Sequence, residues 1–215
     1  MKDSRRSTQR LPASDRRRQL LDTALDFFSR KGFEGTTTKE IATAAGVTEA
    51  IIFRHFPSKH ALYAAVLEDY HARGGFAEYM AEWKAFMDRN DDEGLIRSMV
   101  ERMIESYRCE ERKHRILLFA ALEGHETGLE HNRQISLPVF ELLCQYVKRR
   151  QREAALVEYD PGAIIAAVAG MASHYGMMTG MFGFRTNLKD ADAVGDFVSI
   201  LMNGIRGKKS VKGKK

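Results

Sequence analysis

The sequence predicts an all-α fold, and three observations carry that prediction. Apolar residues recur at three- and four-residue steps along most of the 215-residue chain. No run alternates apolar and polar residues for long enough to make a strand. Of the four prolines, Pro57, Pro138 and Pro161 stand near expected helix starts, where a missing N–H costs little.

The first helix is expected over 16–31, where Leu20/Leu21, Ala24/Leu25 and Phe27/Phe28 mark one buried stripe and Gly32 ends it as a left-handed residue. Thr37-Thr38-Lys39-Glu40 has the spacing of a capping box. The Thr37 hydroxyl accepts from the amide three residues on while Glu40 reaches back to the Thr37 amide. A helix then spans 38–45, with Ile41, Ala42 and Ala45 as a narrow face of small apolar groups. Gly46 supplies a left-handed turn, Val47 plugs the core beneath it, and Thr48 caps a second helix over 49–55. Two short helices joined in this way are a helix-turn-helix. After Pro57-Ser58 a stripe runs through Leu62, Val66 and Leu67, another from Leu95 to Ile104, and another from Ile116 to Leu122. Further helices are expected at about 134–156, 161–182 and 190–205. The first 18 and last 10 residues lack apolar anchors and are expected to be mobile.

Charge is unevenly spread. Residues 1–60 carry 12 Lys/Arg against 7 Asp/Glu and residues 206–215 carry 6 against none, yet the whole chain is only +5, so the stretch between is acidic at −6. Basic ends suggest a polyanionic partner for one end of the molecule and another task for the body. Cys109 and Cys144 have no metal-like spacing and are expected as reduced, buried thiols. The N-terminus has positive charge without an apolar stretch behind it, so it does not read as a secretory signal, and a cytoplasmic location is expected. Residues 162–184 hold no charged residue, but 10 of these 23 positions are Gly or Ala, which suits a helix buried among other helices better than a membrane span.

The segment GFEGTTTKEIATAAGVTEAIIFRHFPSK, residues 32–59, resembles the DNA-binding domain of the tetracycline-repressor (TetR) family of bacterial transcriptional regulators. The capping Thr37, the IA..AGVT turn and the aromatic-Arg-His-Phe-Pro-Ser-Lys run at 53–59 carry the resemblance, which extends from Leu20 to Leu67. It implies an N-terminal three-helix DNA-binding domain at 1–60 with a basic arm, a larger helical effector-binding and dimerisation domain at 61–205, and a basic disordered tail at 206–215. It also implies a homodimer formed through helices at about 162–182 and 190–205, which reads a near-palindromic site on double-stranded DNA. A repressor released by a small effector is expected, with no cofactor and no metal.

In a helix-turn-helix the second helix puts its N-terminal side chains into the major groove while the first crosses the backbone. Thr48, Glu49, Ala50, Ile51 and Arg54 are thus expected near the bases. Arg54 suits either a guanine edge or a phosphate, and Ile51 a thymine methyl or the exclusion of water. The resemblance places His55 and Lys59 on phosphates, Lys59 at the N-terminus of a helix capped by Ser58, and brings Thr37 and Thr38 to the DNA backbone. At Phe53 the family usually carries a Tyr whose hydroxyl reaches a phosphate; Phe53 keeps the packing and loses that hydrogen bond.

An effector pocket is expected within the helices from 62 to 182. Trp83, Met99, Met103, Phe119, His125, Met171, His174, Tyr175 and Met178, with Phe86 and Met87, are candidates by residue type, each competing with a plain core role. Ten methionines, several of them at 171–181, favour an adaptable apolar cavity and so a hydrophobic or aromatic effector.

Catalysis is not expected. Glu111-Arg-Lys-His114 has the Glu-x-x-His spacing once, where a di-iron bundle needs it twice, and His114 reads as a surface residue. Glu123, His125, Glu126 and His131 have metal-binding composition but fall around a helix end. No nucleophile elbow, Walker loop or dinucleotide-binding glycine pattern is present. A regulator acting only through a protein partner is the remaining alternative, and the intact Arg54, His55 and Lys59 speak against it.

Overall fold

The computed structural model describes residues 12–207. Arg5, Arg6 and Arg10 of the expected arm, and the tail at 208–215, lie outside the described residues. Within them the helices are α1 (Ala13–Lys31), α2 (Thr38–Ala44), α3 (Glu49–His55), α4 (Lys59–Arg73), α5 (Phe76–Asp88) and α6 (Asp92–Cys109). There follow α7 (Glu111–Glu123), α8 (Glu126–Arg152), α9 (Pro161–Gly176), a π-helical turn (Met177–Met181) and α10 (Asp190–Ile205). Among the described residues the only β pairing is an isolated bridge between Leu156 and Arg206.

The chain forms two compact units. The first contains α1 to α4 together with Arg115–Leu129. Its core is built from the α1 stripe, in which Leu20, Ala24 and Phe28 are completely buried, with Ile41, Ile52, Leu62, Tyr63 and Ile116. Each of the Leu, Ile and Phe side chains contributes about 1.5–3 kcal/mol of hydrophobic stabilisation. The boundary expected at residue 60 is corrected accordingly, because α4 and the distant segment 115–129 complete this core.

The second unit contains α5, α6, residues 130–152 of α8, α9, the π-helical turn and α10. Helix α6 packs on α9 and α10 around Met99, Val100, Ile104, Val168, Ala172 and Val198. Asp160 caps α9 by accepting the Ala163 N–H at 2.9 Å, and Pro161 takes the first helical position. Val157 donates its N–H to the Ile205 carbonyl at 2.8 Å, tying the end of α10 to the strand-like connection before α9.

Several sequence expectations need correction. Arg16, Arg17 and Arg18 belong to α1 rather than to a mobile arm, with Arg16 bonded to Gln19 at 2.6 Å and the Arg17 guanidinium 4.8 Å from the Phe56 ring centre. Helix α5 was not anticipated. Helix α8 starts at Glu126 and runs through Pro138, whose missing N–H falls in a stretch where residues 136–138 are exposed. Cys109 is exposed, and Cys144 is partly buried. The uncharged run at 162–184 is α9 followed by the π-helical turn, and among the described residues no helix is long and apolar enough to cross a membrane.

Candidate nucleic-acid interface

The capping box forms in full. The Thr37 hydroxyl accepts from the Glu40 N–H at 3.2 Å, and a Glu40 carboxylate oxygen accepts from the Thr37 N–H at 3.0 Å. Lys31 reaches the other carboxylate oxygen at 2.6 Å, and together with the Thr37 bonds it lowers the Glu40 pKa to about 2. Gly46 turns the chain at φ +67°, after which Val47 donates to the Ala42 carbonyl at 2.9 Å and packs against the core. Thr48 stands at the N-cap of α3, but its side chain makes no capping bond, contrary to expectation. Instead the Thr38 hydroxyl bonds the Glu49 carboxylate, linking the first turns of α2 and α3.

That bond reassigns two expected DNA contacts. Thr38 is buried and its hydroxyl is committed to Glu49, so neither is free to meet DNA as expected. Helix α3 is anchored by Ile52, its one fully buried residue, and Ile51 packs partly against the same core instead of pointing outward. At 100° per residue, Ala50 and Arg54 lie opposite Ile52 and Phe53 lies at the flank between Ile52 and Ala50; all three are exposed, with exposed Thr48 preceding them. Phe53 is therefore a surface residue, 46% exposed, and does not keep the packing assigned to it. His55 is half-buried, and its Nε2 is enclosed without a hydrogen-bond partner, which removes that atom as a ready phosphate donor.

Behind this face, Phe33 lies in an aromatic cluster with its ring 4.1 Å from that of His125, 4.6 Å from His60 and 5.2 Å from Tyr63, centre to centre. The Lys59 ammonium sits 4.2 Å above the Phe33 ring centre, a cation–π contact where a free phosphate anchor was expected. Ser58 caps α4, accepting from the Ala61 N–H at 3.1 Å. The Glu123 carboxylate accepts the N–H groups of Phe33 at 3.0 Å and Glu34 at 3.3 Å, and Arg115 donates to the Ser29 carbonyl at 2.9 Å. Gly32 admits this carboxylate: it has φ +73°, and a Cβ there would stand 2.0 Å from a Glu123 oxygen. Burial, with the negative charge of Glu123 nearby, pushes the Tyr63 hydroxyl up to about 12. Burial and the neighbouring His60 hold His125 below the usual histidine range.

The effector candidates are not brought together. Phe119 and His125 belong to the first unit, where His125 serves the aromatic cluster. Trp83, Met99, Met103, Met171 and Tyr175 join the core of the second unit, and Trp83 donates its indole N–H to Ser98 at 3.1 Å. Tyr175 donates to the Leu188 carbonyl and bonds Asp190, both at 3.1 Å. His174 is exposed, which removes it from an internal pocket, and Met178 lies partly buried in the π-helical turn. The cavity in that core measures about 20 Å³ and is lined by Met99 with Leu95, Leu143, Ile165, Val168 and Asp92, among others. Asp92 is held by the Arg150 guanidinium at 2.8 Å and by the Tyr146 hydroxyl. His114 is not a surface residue: it stacks on Tyr107 at 3.7 Å and touches the Ser106 hydroxyl, and burial depresses it to about 4. Among the described residues no three His, Cys, Asp or Glu side chains are arranged to hold a metal ion.

Sequence reasoning missed Lys39, exposed on the first turn of α2, and the outward position of Phe53. A helical wheel anchored on Ile52 puts Phe53 and Ile51 at equal offsets on either side, so only the packing tells the exposed one from the core one.

A capped helix, a left-handed glycine turn and a second helix anchored by one buried isoleucine define a helix-turn-helix DNA-binding protein. Residues 20–66 match the family model described as bacterial regulatory proteins, tetR family. The HTH-type transcriptional regulator RutR of Escherichia coli (strain K12) is 26% identical over 162 residues, 75% of this chain and 74% of RutR. A solved regulator from Saccharomonospora viridis, in complex with choline, superposes with TM-score 0.67 at 15% identity, covering 91% of this chain and 100% of that one. AibR, solved with isovaleryl coenzyme A and operator DNA, gives TM-score 0.59 at 18% identity over 86% of this chain and 97% of its own. At such identities both structures speak for the fold alone. Residues 20–66 are thus a DNA-binding domain of the TetR family, and the chain is similar over three quarters of its length to a DNA-binding transcriptional regulator.

Proposed function

We propose that this regulator is a cytoplasmic, homodimeric repressor that presents Thr48, Ala50 and Arg54 to the major groove of a near-palindromic operator, with Thr37 and Lys39 beside the DNA backbone. The observation that carries this is the outward arc of α3, which holds exposed Ala50 and Arg54 opposite fully buried Ile52. Arg54 has the fork for a guanine edge or a phosphate. Lys59 adds positive charge near the N-terminus of α4 even while it rests on Phe33.

Dimerisation through α9 and α10 is supported by their outer faces. Ala163, Ala166, Ala167 and Gly170 leave a smooth exposed strip on α9, and Ile200 on α10 is 60% exposed. Small residues let a second copy approach closely, and two recognition helices then meet successive turns of DNA.

A small effector acting on the second unit is supported by its apolar cavity, and the apolar lining favours a hydrophobic or aromatic molecule. A space of about 20 Å³ holds no more than about one water molecule, so such an effector must open the core around Met99, Met103 and Met171. Its preference for the opened state would weaken DNA binding by about 1–3 kcal/mol. The choline and isovaleryl coenzyme A held by the two structural relatives support a small-molecule effector without naming its class.

The test is selection of bound sequences from a random duplex pool at physiological salt with competitor DNA. A near-palindromic consensus supports the proposal, and the Arg54→Ala, Lys59→Ala double variant should bind it more weakly while remaining dimeric. Unchanged affinity in that variant would overturn the site assignment.

A further inference from the structure

Given α3 as the recognition helix, a premise the following depends on, we infer that Phe53 is a specificity-determining residue that reads a thymine methyl group in each half-site. Phe53 is 46% exposed on a helix whose inner side is already complete: Ile52 is fully buried and Ile51 packs on the core. Phe53 belongs neither to the buried core of the first unit nor to the residues packed against it, so its exposed ring face is available to what α3 meets. Glu49 is bonded to Thr38 and so does not accept from a cytosine amine, leaving Ala50 and Arg54 as the outward arc with Phe53 at its flank.

The chemistry of that arc selects its target. Ala50 and Phe53 stand three residues apart and form a short apolar strip flanked by the positive charge of Arg54. A phenyl ring has no hydrogen bond to give a phosphate. The apolar group displayed in the major groove is the C5-methyl of thymine, and Phe is among the side chains that contact it. Wedging between base steps belongs to minor-groove binders, whereas a helix-turn-helix enters the major groove. Phe53 and Ala50 therefore favour thymine over cytosine beside the position met by Arg54.

The experiment uses the full chain and the operator selected from the random pool. Each thymine is replaced in turn by deoxyuridine, which removes the methyl and leaves base pairing intact, and affinity is measured by fluorescence anisotropy at fixed salt. With the native protein, one thymine per half-site should show about a fourfold loss, the worth of one methyl withdrawn from an apolar contact at about 0.8 kcal/mol. Phe53→Ala should bind more weakly, show no loss at that same thymine, and keep the native salt slope because no phosphate contact is removed. Phe53 lies outside the core, so the melting temperature of this variant should stay near that of the native chain.

A native protein indifferent to the methyl at every thymine overturns the inference without recourse to any variant. So does a Phe53→Ala protein that keeps the native methyl penalty, or one whose salt slope falls. If the pool yields no enriched sequence, the reading of α3 itself fails, and the inference with it; a clear operator with no methyl dependence sinks only the role of Phe53.

Discussion

Replacing Ile52 with Ala removes the one fully buried side chain of α3, and its effect can be set against the same change at Ile51 next door. The substitution deletes three carbons. At about 0.8 kcal/mol each, transfer accounts for about 2.4 kcal/mol, and the cavity left among Ile41, Phe56 and their neighbours brings the loss to about 3–4 kcal/mol. Ile51 is only partly buried, so the same deletion there should cost about 1 kcal/mol. Urea unfolding of the full chain gives the stability, and hydrogen exchange at the amides of α2 and α3 gives its local share. Ile52→Ala should lose both stability and operator affinity. Equal losses in the two variants, or a loss below about 1 kcal/mol at Ile52 with operator binding intact, would refute the placement of Ile52 as the anchor.

Thr37→Val should lower stability by about 1 kcal/mol, because it removes the acceptor for the Glu40 N–H; a neutral result by denaturant titration would contradict the capping box. The Glu40 pKa is lowered from 4.5 to about 2, so its contribution is present above pH 4.5 and lost as pH falls toward 2. The difference in melting temperature between the native chain and Glu40→Gln should accordingly shrink across that window. His114 is depressed from 6.5 to about 4, so the unfolded chain binds the proton first and stability falls as pH drops from 6.5 to 4. His114→Gln should flatten that slope without abolishing it, since His125 is shifted in the same direction. Ala167→Glu on the outer face of α9 should give a monomer by sedimentation velocity, and a variant that stays dimeric would move the interface elsewhere.

The helix-turn-helix was legible because its signals are local. Thr37, Glu40, Gly32 and Gly46 each act within four residues of their own position, and each does in the structure what its spacing foretold. What could not be read were choices among partners distant in sequence. Nothing near Thr38 announces that its hydroxyl will take Glu49, or that Lys59 will find the Phe33 ring instead of open solvent. Phe53 and Ile51 flank Ile52 at equal angles on the helix, so the local pattern does not say which of the two meets the core; the neighbouring helices decide it. In α5, Phe76, Tyr79, Met80, Trp83 and Met87 keep helical spacing, but such large side chains suit a ligand wall as well as a helix core, so the spacing alone does not declare the helix. The effector candidates scattered for the opposite reason: residue type carries no information about which of two cores a methionine or histidine will enter.

The carboxylate of Glu123, holding two backbone N–H groups some ninety positions away, has a consequence for the heredity of this protein. Gene fusions exchange domains most readily when each is a single uninterrupted stretch of chain. Here a crossover after α4 would separate Phe33 and Glu34 from their acceptor and Ile116 from its neighbours, so a chimera must carry 115–129 along or supply a compatible substitute. Recombination is thereby penalised at the point where the sequence alone suggests a seam. Residues 1–73 and the segment 115–129 of such a regulator are bound to change together, one compensating substitution at a time.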